Sequence, residues 1–131
     1  MNSSTQQDTG KLILRLAVGV LVFLHGISKL EGGLDGIVKM VETQGFPGSF
    51  AYGVLIGEVL APLLIITGFF SRIGGILVVI NMLFALYLVH LGDLGRLNEQ
   101  GGWAIELQIM FLTTAAAVAL LGPGKYAFNQ R

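Results

Sequence analysis

The chain has 131 residues, of which 53% are hydrophobic and only 12% are charged. Soluble domains carry about a quarter charged residues. This difference, together with a mean hydropathy of +0.75, favours an integral membrane protein over a soluble one. The formal net charge of zero argues against a nucleic-acid partner. Because the chain has no cysteine, it offers no disulfide, iron–sulfur ligand or thiol nucleophile, and any redox chemistry requires a bound cofactor or a partner protein.

Four apolar runs predict four transmembrane helices. Each run has the roughly 20 residues needed to cross the hydrocarbon core of a bilayer, and none shows the two-residue alternation of barrel strands. We therefore expect an all-α fold, an integral membrane four-helix bundle with short loops. The predicted helices cover about residues 12–30, 50–70, 73–91 and 103–121.

The bundle is expected to occupy residues 10–128, between a polar N-terminal tail (1–9) and a C-terminal tail (129–131). The N-terminal tail lacks the basic region and the cleavage site of a secretory signal, so the first apolar run is expected to remain as a membrane helix. Residues 34–43 can form a short amphipathic helix at the membrane surface. A tight turn around residues 71–72 makes the second and third apolar runs antiparallel neighbours.

The placement of Lys and Arg predicts the orientation of the chain. Basic residues are more numerous at the end that carries both termini, so we expect both termini in the cytoplasm. That end carries Lys11, Arg15, Arg72, Lys125 and Arg131, and the opposite end carries Lys29, Lys39 and Arg96.

Small residues recur at helical spacing and predict close helix packing. Gly53, Gly57 and Ala61 form a small-xxx-small ridge on the second helix, where the backbones of two helices can approach closely. Gly19 and Gly26 can do the same on the first helix.

Glu58 is an acidic residue in the middle of the second apolar run. A carboxylate there is costly unless it is protonated, paired or turned to the protein interior. Pro62 follows four residues later, so it cannot donate a hydrogen bond to the carbonyl of Glu58, and its ring crowds that carbonyl. An acidic side chain and a freed backbone acceptor therefore fall at one level of one helix.

Polar side chains from all four predicted helices fall in the same half of the bundle. His25 and Lys29 are one turn apart near the end of the first helix, and Glu58 lies about 12 Å below the start of the second at the helical rise per residue. His90 and Glu106 lie where the third helix ends and the fourth begins. A quinone head group needs hydrogen-bond partners at its carbonyls and a proton source near the membrane surface. His25 or His90 could donate to a carbonyl, and Glu58 or Glu106 could carry the proton.

Each of these residues also has a structural interpretation. Instead of binding a ligand, Lys29 could extend its ammonium group to the membrane interface, and Arg15 could bind lipid phosphate or order its helix. His90 could be an interfacial histidine without a function in binding. The two acids could only form ion pairs with basic neighbours, and Asn81 and Gln108 are typical interhelical hydrogen-bonding residues. Haem ligation is disfavoured, because two histidines without a spacing motif are weak evidence for it.

Several segments, in this order and spacing, resemble the DoxX family. The first helix carries Arg15-Leu16 and then His25-Gly26-Ile27-Ser28-Lys29-Leu30. Gly57-Glu58 leads to the sequence TGFFSR ending at Arg72, which is similar to a glutamate-to-GxxxR segment, and residues 85–90 with Glu106-Leu107 match the last two helices. Gly122-Pro123-Gly124-Lys125-Tyr126 is similar to a closing GPGxY signature. The resemblance runs from about residue 12 to residue 128.

The resemblance implies a four-helix, multi-pass protein of the bacterial or archaeal plasma membrane. Founding members of the family are small subunits of a thiosulfate:quinone oxidoreductase, and other relatives are associated with quinone or catechol stress or with redox-protection complexes. Two positions depart from the family pattern: Ala61-Pro62 stands where a glycine pair is expected, and Asn129 stands where an aspartate often follows the GPG signature. Thiosulfate oxidation itself is not carried over.

The leading interpretation is a quinone-linked redox component, or a small subunit of a membrane oxidoreductase complex. Its expected partners are membrane lipid, a quinone, and a partner subunit or a second copy of the chain. The alternatives are a non-catalytic membrane anchor for soluble redox proteins, and a small transporter or lipid-handling protein. The candidate site has no metal ligands; it comprises Glu58, Glu106 and His90 as catalytic residues and His25, Lys29 and Arg15 as cofactor-binding residues.

Overall fold

The computed structural model describes residues 2–131. Within this range the fold is helical, and its only β-type pairing is an isolated bridge between Leu97 and Trp103, which confirms the predicted fold class. A π-helical turn, Ile56–Leu60, interrupts the helix that begins at Phe50, which is called α3 below. The helices are α1 (Ser3–Glu31), α2 (Leu34–Thr43), α3 (Phe50–Thr67), α4 (Ser71–Val89) and α5 (Glu106–Leu121).

The long helices have the character of membrane helices. α1, α3 and α4 are long and apolar enough to cross a membrane, and α5 is a shorter apolar helix of 16 residues. Large apolar side chains such as Leu24, Ile80 and Leu120 are exposed on the outside of the bundle. Such a surface is stable when lipid rather than water surrounds it.

The four apolar helices form a closed ring. α1 packs against α3 and α5, α3 packs against α4, and α4 packs against α5. Small and β-branched residues, among them Val22, Ala61, Val78 and Ala115, fill the centre of this ring. α2 lies outside the ring, and its buried residues Ile37 and Val41 pack over one end of α3 and α4. The helix predicted at residues 34–43 is therefore present.

Two glycines of α1 bring this helix into close contact with α3. A Cβ on Gly19 would lie 3.3 Å from the carbonyl oxygen of Pro62, and a Cβ on Gly26 would collide with the carbonyl of Glu58. Since the two glycines are seven residues apart, they lie on the same side of α1. α1 and α3 therefore approach each other closely beside Glu58 and Pro62.

The predicted ridge on α3 packs at two of its three positions. A Cβ on Gly57 would lie 2.5 Å from the Cβ of Asn81 on α4, and Ala61 is fully buried with Gly74 of α4 against its carbonyl. A Cβ on Gly53 would meet nothing within 4 Å. Helix packing therefore explains Gly57 and Ala61 but not Gly53.

Helix α1 begins well before the apolar run. The polar residues from Ser3 onward, which we predicted to form a tail, are helical, and Asn2 caps them by accepting a hydrogen bond from the Thr5 N–H at 2.8 Å. Polar residues can continue a membrane helix into water once its first turn is capped. Hydropathy alone marks only the part of the helix that lies in lipid.

Helix α5 begins at Glu106 rather than at residue 103. Trp103 belongs to the preceding loop, where its backbone pairs with Leu97 and its indole N–H donates to the carbonyl of Leu94 at 2.7 Å. A buried or interfacial indole commonly finds such a partner, and here the partner holds the tryptophan outside the helix.

The C-terminal segment folds back against the turn between α3 and α4. The N–H groups of Phe128 and Asn129 donate to the carbonyls of Thr67 and Gly68, both at 3.2 Å. The side chain of Asn129 accepts from the N–H of Phe70 at 3.0 Å. The asparagine that departs from the family pattern therefore still stabilises this turn.

Candidate functional site

A cavity of about 220 Å³ lies between the helices at the end of the bundle opposite the chain termini. We call it the recess. One wall is apolar and includes Phe84, Leu88 and Phe111, and Met40 of α2 covers it. The polar residues that line the recess are His25, Lys29, Glu58, Asn81, His90 and Gln108.

Lys29 and Glu58 form an ion pair in the recess, with 2.5 Å between Lys29 Nζ and Glu58 Oε1. The side chain of Glu58 is only 4% exposed, whereas that of Lys29 is 32% exposed. Lys29 thus links a buried carboxylate to the surface of the protein. The structure places both residues where the sequence predicted a shared polar site.

The position of Glu58 follows from the break in α3. Ala61 donates its N–H to the carbonyl of Ile56, five residues back, instead of to the residue four back. Pro62 follows directly and has no N–H, so it fits in the first turn of the helical segment that resumes after the π turn. Such π turns inside α-helices frequently occur at functional sites. Glu58 lies within this π turn, at the crossing with Gly26.

His90, at the end of α4, makes contacts with both of its ring nitrogens. Its Nδ1 lies 3.2 Å from Asp93 Oδ2, and its Nε2 lies 3.3 Å from the amide nitrogen of Gln108. An Nδ1–H that donates to the carboxylate leaves Nε2 free to accept from the amide, and this tautomer satisfies both contacts. His90 is therefore oriented by Asp93 and in turn orients Gln108.

Two amide groups in the recess have a buried atom without a partner among the residues that the structure describes. They are Nδ2 of Asn81, a donor, and Oε1 of Gln108, an acceptor. Asn81 is 5% exposed, and a buried polar atom without a hydrogen bond costs about 1–3 kcal/mol. The recess therefore offers one unused donor and one unused acceptor to a polar ligand.

The sequence interpretation missed Asn81 and Gln108 as recess residues, because amides in membrane helices are common links between helices. The rule that singled out Glu58, a polar side chain inside an apolar run, applies to Asn81 as well. Gln108 is two residues, or about 200°, from Glu106 along the helix. That rotation turns Gln108, not Glu106, towards the recess.

Glu106 does not line the recess. It is exposed at the first residue of α5, and its Oε1 accepts a hydrogen bond from Asn98 Nδ2 at 3.0 Å. An acidic residue is favourable at a helix N-terminus, where the unpaired N–H groups carry partial positive charge. Glu106 therefore stabilises the start of α5 and its contact with the preceding loop.

Arg15 lies at the other end of the bundle and is 1% exposed. It does not line the recess, and its guanidinium group instead donates hydrogen bonds to four backbone carbonyls. Two of them end α3 and two belong to the C-terminal segment: Ile65 at 2.9 Å, Ile66 at 2.9 Å, Pro123 at 3.0 Å and Tyr126 at 2.7 Å.

His25 lies at the rim of the recess. Its ring is exposed and packs edge-on against the ring of Phe111, with 5.5 Å between the centroids. His25 and His90 both line the recess, but among residues 2–131 no three His, Asp or Glu side chains group as ligands for one metal ion. The recess thus brings together hydrogen-bond donors and acceptors from α1, α3, α4 and α5.

Comparison with known proteins gives the chain a family. A model of the DoxX family matches residues 10–91, which include α1 from residue 10 onward and all of α2, α3 and α4. The protein named "Putative oxidoreductase CatD" of Bacillus subtilis (strain 168) is 32% identical over 115 residues, which cover 88% of this chain and 81% of that protein. No solved structure gives a significant match. The sequence motifs, the helical membrane fold and both matches agree, and the chain belongs to the DoxX family.

Proposed function

We propose that the protein is a quinone-linked redox component of the bacterial or archaeal plasma membrane and acts as a small subunit of a membrane oxidoreductase complex. The observation that carries this proposal is the recess, which combines the partly buried Lys29–Glu58 ion pair with Asn81 Nδ2, a buried donor that has no partner among residues 2–131. The similarity to a protein named as an oxidoreductase supports the same reaction class.

The lining of the recess fits a quinone head group. A quinone ring is flat and apolar on its faces and carries two carbonyl oxygens that accept hydrogen bonds. Asn81 Nδ2 and Lys29 Nζ are donors for such oxygens, and the ring of Phe111 and the side chain of Leu88 supply apolar surface for the ring. These residues would hold and orient the head group.

The chain supplies proton chemistry and leaves electron transfer to a partner. A bound quinone would accept two electrons and two protons and become a quinol. Since the chain has no cysteine, we assign the electrons to a redox-active partner subunit. Glu58 can hold a proton beside the head group, and the partly exposed Lys29 connects Glu58 with water.

The test is the variant Glu58→Gln, studied in lipid nanodiscs. Glutamine keeps the size of the side chain and can still contact Lys29, but it cannot exchange a proton. We expect quinone affinity to fall about tenfold, which corresponds to roughly 1.4 kcal/mol, and the helical circular-dichroism signal to stay the same. Glu106→Gln is the matched control, because Glu106 is an exposed acid outside the recess. Wild-type affinity in Glu58→Gln would contradict the proposal.

A membrane anchor for soluble redox proteins is the second candidate. The ion pair between Lys29 and Glu58 favours it, because a paired buried acid can serve helix packing alone. Native mass spectrometry of the purified protein separates the candidates. A retained quinone supports the redox component, a retained soluble protein supports the anchor, and a retained lipid or other solute supports a lipid-handling protein or transporter.

A further inference from the structure

A second cavity opens on the outside of the bundle between α3 and α4. It has a volume of about 450 Å³ and is lined mainly by apolar residues and glycines, among them Phe50, Gly53, Ile56, Leu77 and Ile80. We call it the lateral groove. Ile56 and Ile80 are 44% and 56% exposed, and they lie on helices that can cross a membrane. The groove therefore faces the hydrocarbon of the bilayer.

The lateral groove adjoins the recess. Val54, Asn81 and Phe84 line both cavities. Asn81 is buried at this junction, and its Nδ2 has no partner among the described residues. A polar donor without a partner in the part of the chain that the structure describes thus lies between the apolar groove and the polar recess.

Gly53 keeps the lateral groove open. Packing accounts for Gly57, which brings α3 against Asn81, but a Cβ on Gly53 would meet nothing within 4 Å. A glycine inside a helix lowers the stability of that helix relative to alanine. Close packing against another helix does not account for a glycine at position 53, because no neighbouring atom would meet its Cβ. Any larger residue at this position would project into open space at the groove.

We propose that the lateral groove is the membrane-side entrance of the recess and holds the apolar tail of its ligand. This inference rests on the proposed function and narrows it: the substrate is a lipid-soluble quinone with a long hydrocarbon tail, not a water-soluble quinone or catechol. The head group enters past Asn81, and the tail remains in the lateral groove. In the groove, the tail would make van der Waals contacts with the side chains of α3 and α4, contacts that a tail-free molecule cannot make.

The test compares two ligands in nanodiscs: decylubiquinone and the same benzoquinone without its decyl tail. The variant Gly53→Leu places a side chain in the lateral groove, and its Cβ meets no neighbouring heavy atom within 4 Å. We expect it to lower the affinity for decylubiquinone about tenfold and to leave the affinity for the tail-free benzoquinone unchanged. Gly36→Leu is the matched control, since Gly36 is also a helical glycine with nothing within 4 Å of its Cβ and lies on α2, outside both cavities.

Three results would overturn the inference, and they differ in what they say about the proposed function. If Gly53→Leu weakens both ligands equally, the substitution disturbs the recess and the groove does not select for a tail. If Gly53→Leu weakens neither ligand while Glu58→Gln weakens both, the recess binds quinones but the groove is not used. If the wild-type protein binds neither ligand, the proposed function fails as well.

Discussion

At the scale of single residues, the two members of the Lys29–Glu58 pair are not equivalent. Glu58 is almost fully buried, whereas about a third of the Lys29 side chain is exposed. Removing one member of a buried ion pair destabilises a protein because it leaves the other charge without a partner. An exposed lysine escapes this penalty by turning its ammonium group to the surface. The buried carboxylate has no such route.

We therefore predict that Lys29→Met destabilises the protein more than Glu58→Gln does. Lys29→Met should lower the free energy of unfolding by about 3 kcal/mol, the lower end of the range measured for a broken buried ion pair. Glu58→Gln should lower it by about 1 kcal/mol or less. The double variant should recover most of the Lys29→Met loss, since no buried charge remains. Equilibrium unfolding in mixed detergent measures all three. Equal losses for the two single variants would mean that both charges are equally buried.

The structural role of Arg15 depends on hydrogen bonds to segments that are distant in the sequence, and these could not be predicted from the sequence. An arginine near the end of a membrane helix is typical of a lipid anchor, and four backbone carbonyls from two distant segments instead surround its guanidinium group. Arg72 does the same at the end of α5, where it donates to the carbonyls of Ala119 and Leu120. Both arginines satisfy carbonyls that the helix ends leave unpaired.

At the scale of helices, the π turn and the α1–α3 crossing occur at the same place. The π turn contains Glu58, whose carbonyl Pro62 cannot pair in the usual α-helical pattern. Gly26 lies directly against this carbonyl. Because a glycine is the smallest residue, α1 approaches α3 closely enough at this point for Lys29, one turn further along, to reach Glu58.

The contrast between Gly26 and Gly53 predicts opposite effects of one substitution. Gly26→Ala places a Cβ against the backbone of Glu58, which cannot move as a flexible side chain can, so we expect a loss of about 2 kcal/mol. Gly53→Ala places its Cβ in open space and should stabilise α3 by up to about 1 kcal/mol through helix propensity. Thermal unfolding of both variants in the same detergent measures the signs. Stabilisation by Gly26→Ala would contradict the close α1–α3 crossing.

At the scale of the whole molecule, apolar length was enough to predict the helices, and it was not enough to predict their rotation. The helical fold follows from four runs of bilayer length, each of which must satisfy its backbone internally. Whether a polar residue near a helix end faces the interior depends on rotation about the helix axis. One such difference separates Glu106, which pairs with the loop residue Asn98, from Gln108, which lines the recess.

The helix ends were also harder to predict than the helices. The docking of residues 123–131 against the helices at that end of the bundle depends on hydrogen bonds such as Lys125 N–H to Asp8 Oδ1 at 3.2 Å and Arg15 to the carbonyl of Pro123 at 3.0 Å. These contacts join residues more than a hundred positions apart in the chain. Their separation in sequence hides them from any local pattern, while the break at Pro62 could be predicted because its cause is local.

The orientation of the bundle decides from which side of the membrane the recess exchanges protons. The recess lies at the end opposite both termini, next to the loop between α4 and α5, and the partly exposed Lys29 leads from Glu58 to that end. With both termini in the cytoplasm, as the distribution of Lys and Arg predicts, Lys29 opens to the extracytoplasmic side. Protons taken up or released at Glu58 would then exchange with that side.

Single-cysteine labelling tests this orientation, because the chain has no cysteine of its own that could react with the label. Gln7 and Gln100 are exposed residues at opposite ends of the bundle. We expect a membrane-impermeant maleimide to label Gln100→Cys in intact spheroplasts and to label Gln7→Cys only after the membrane is permeabilised. The reverse pattern would place the recess at the cytoplasmic surface, and protons would then exchange with the cytoplasm; the proposed binding of a quinone in the recess would not be affected.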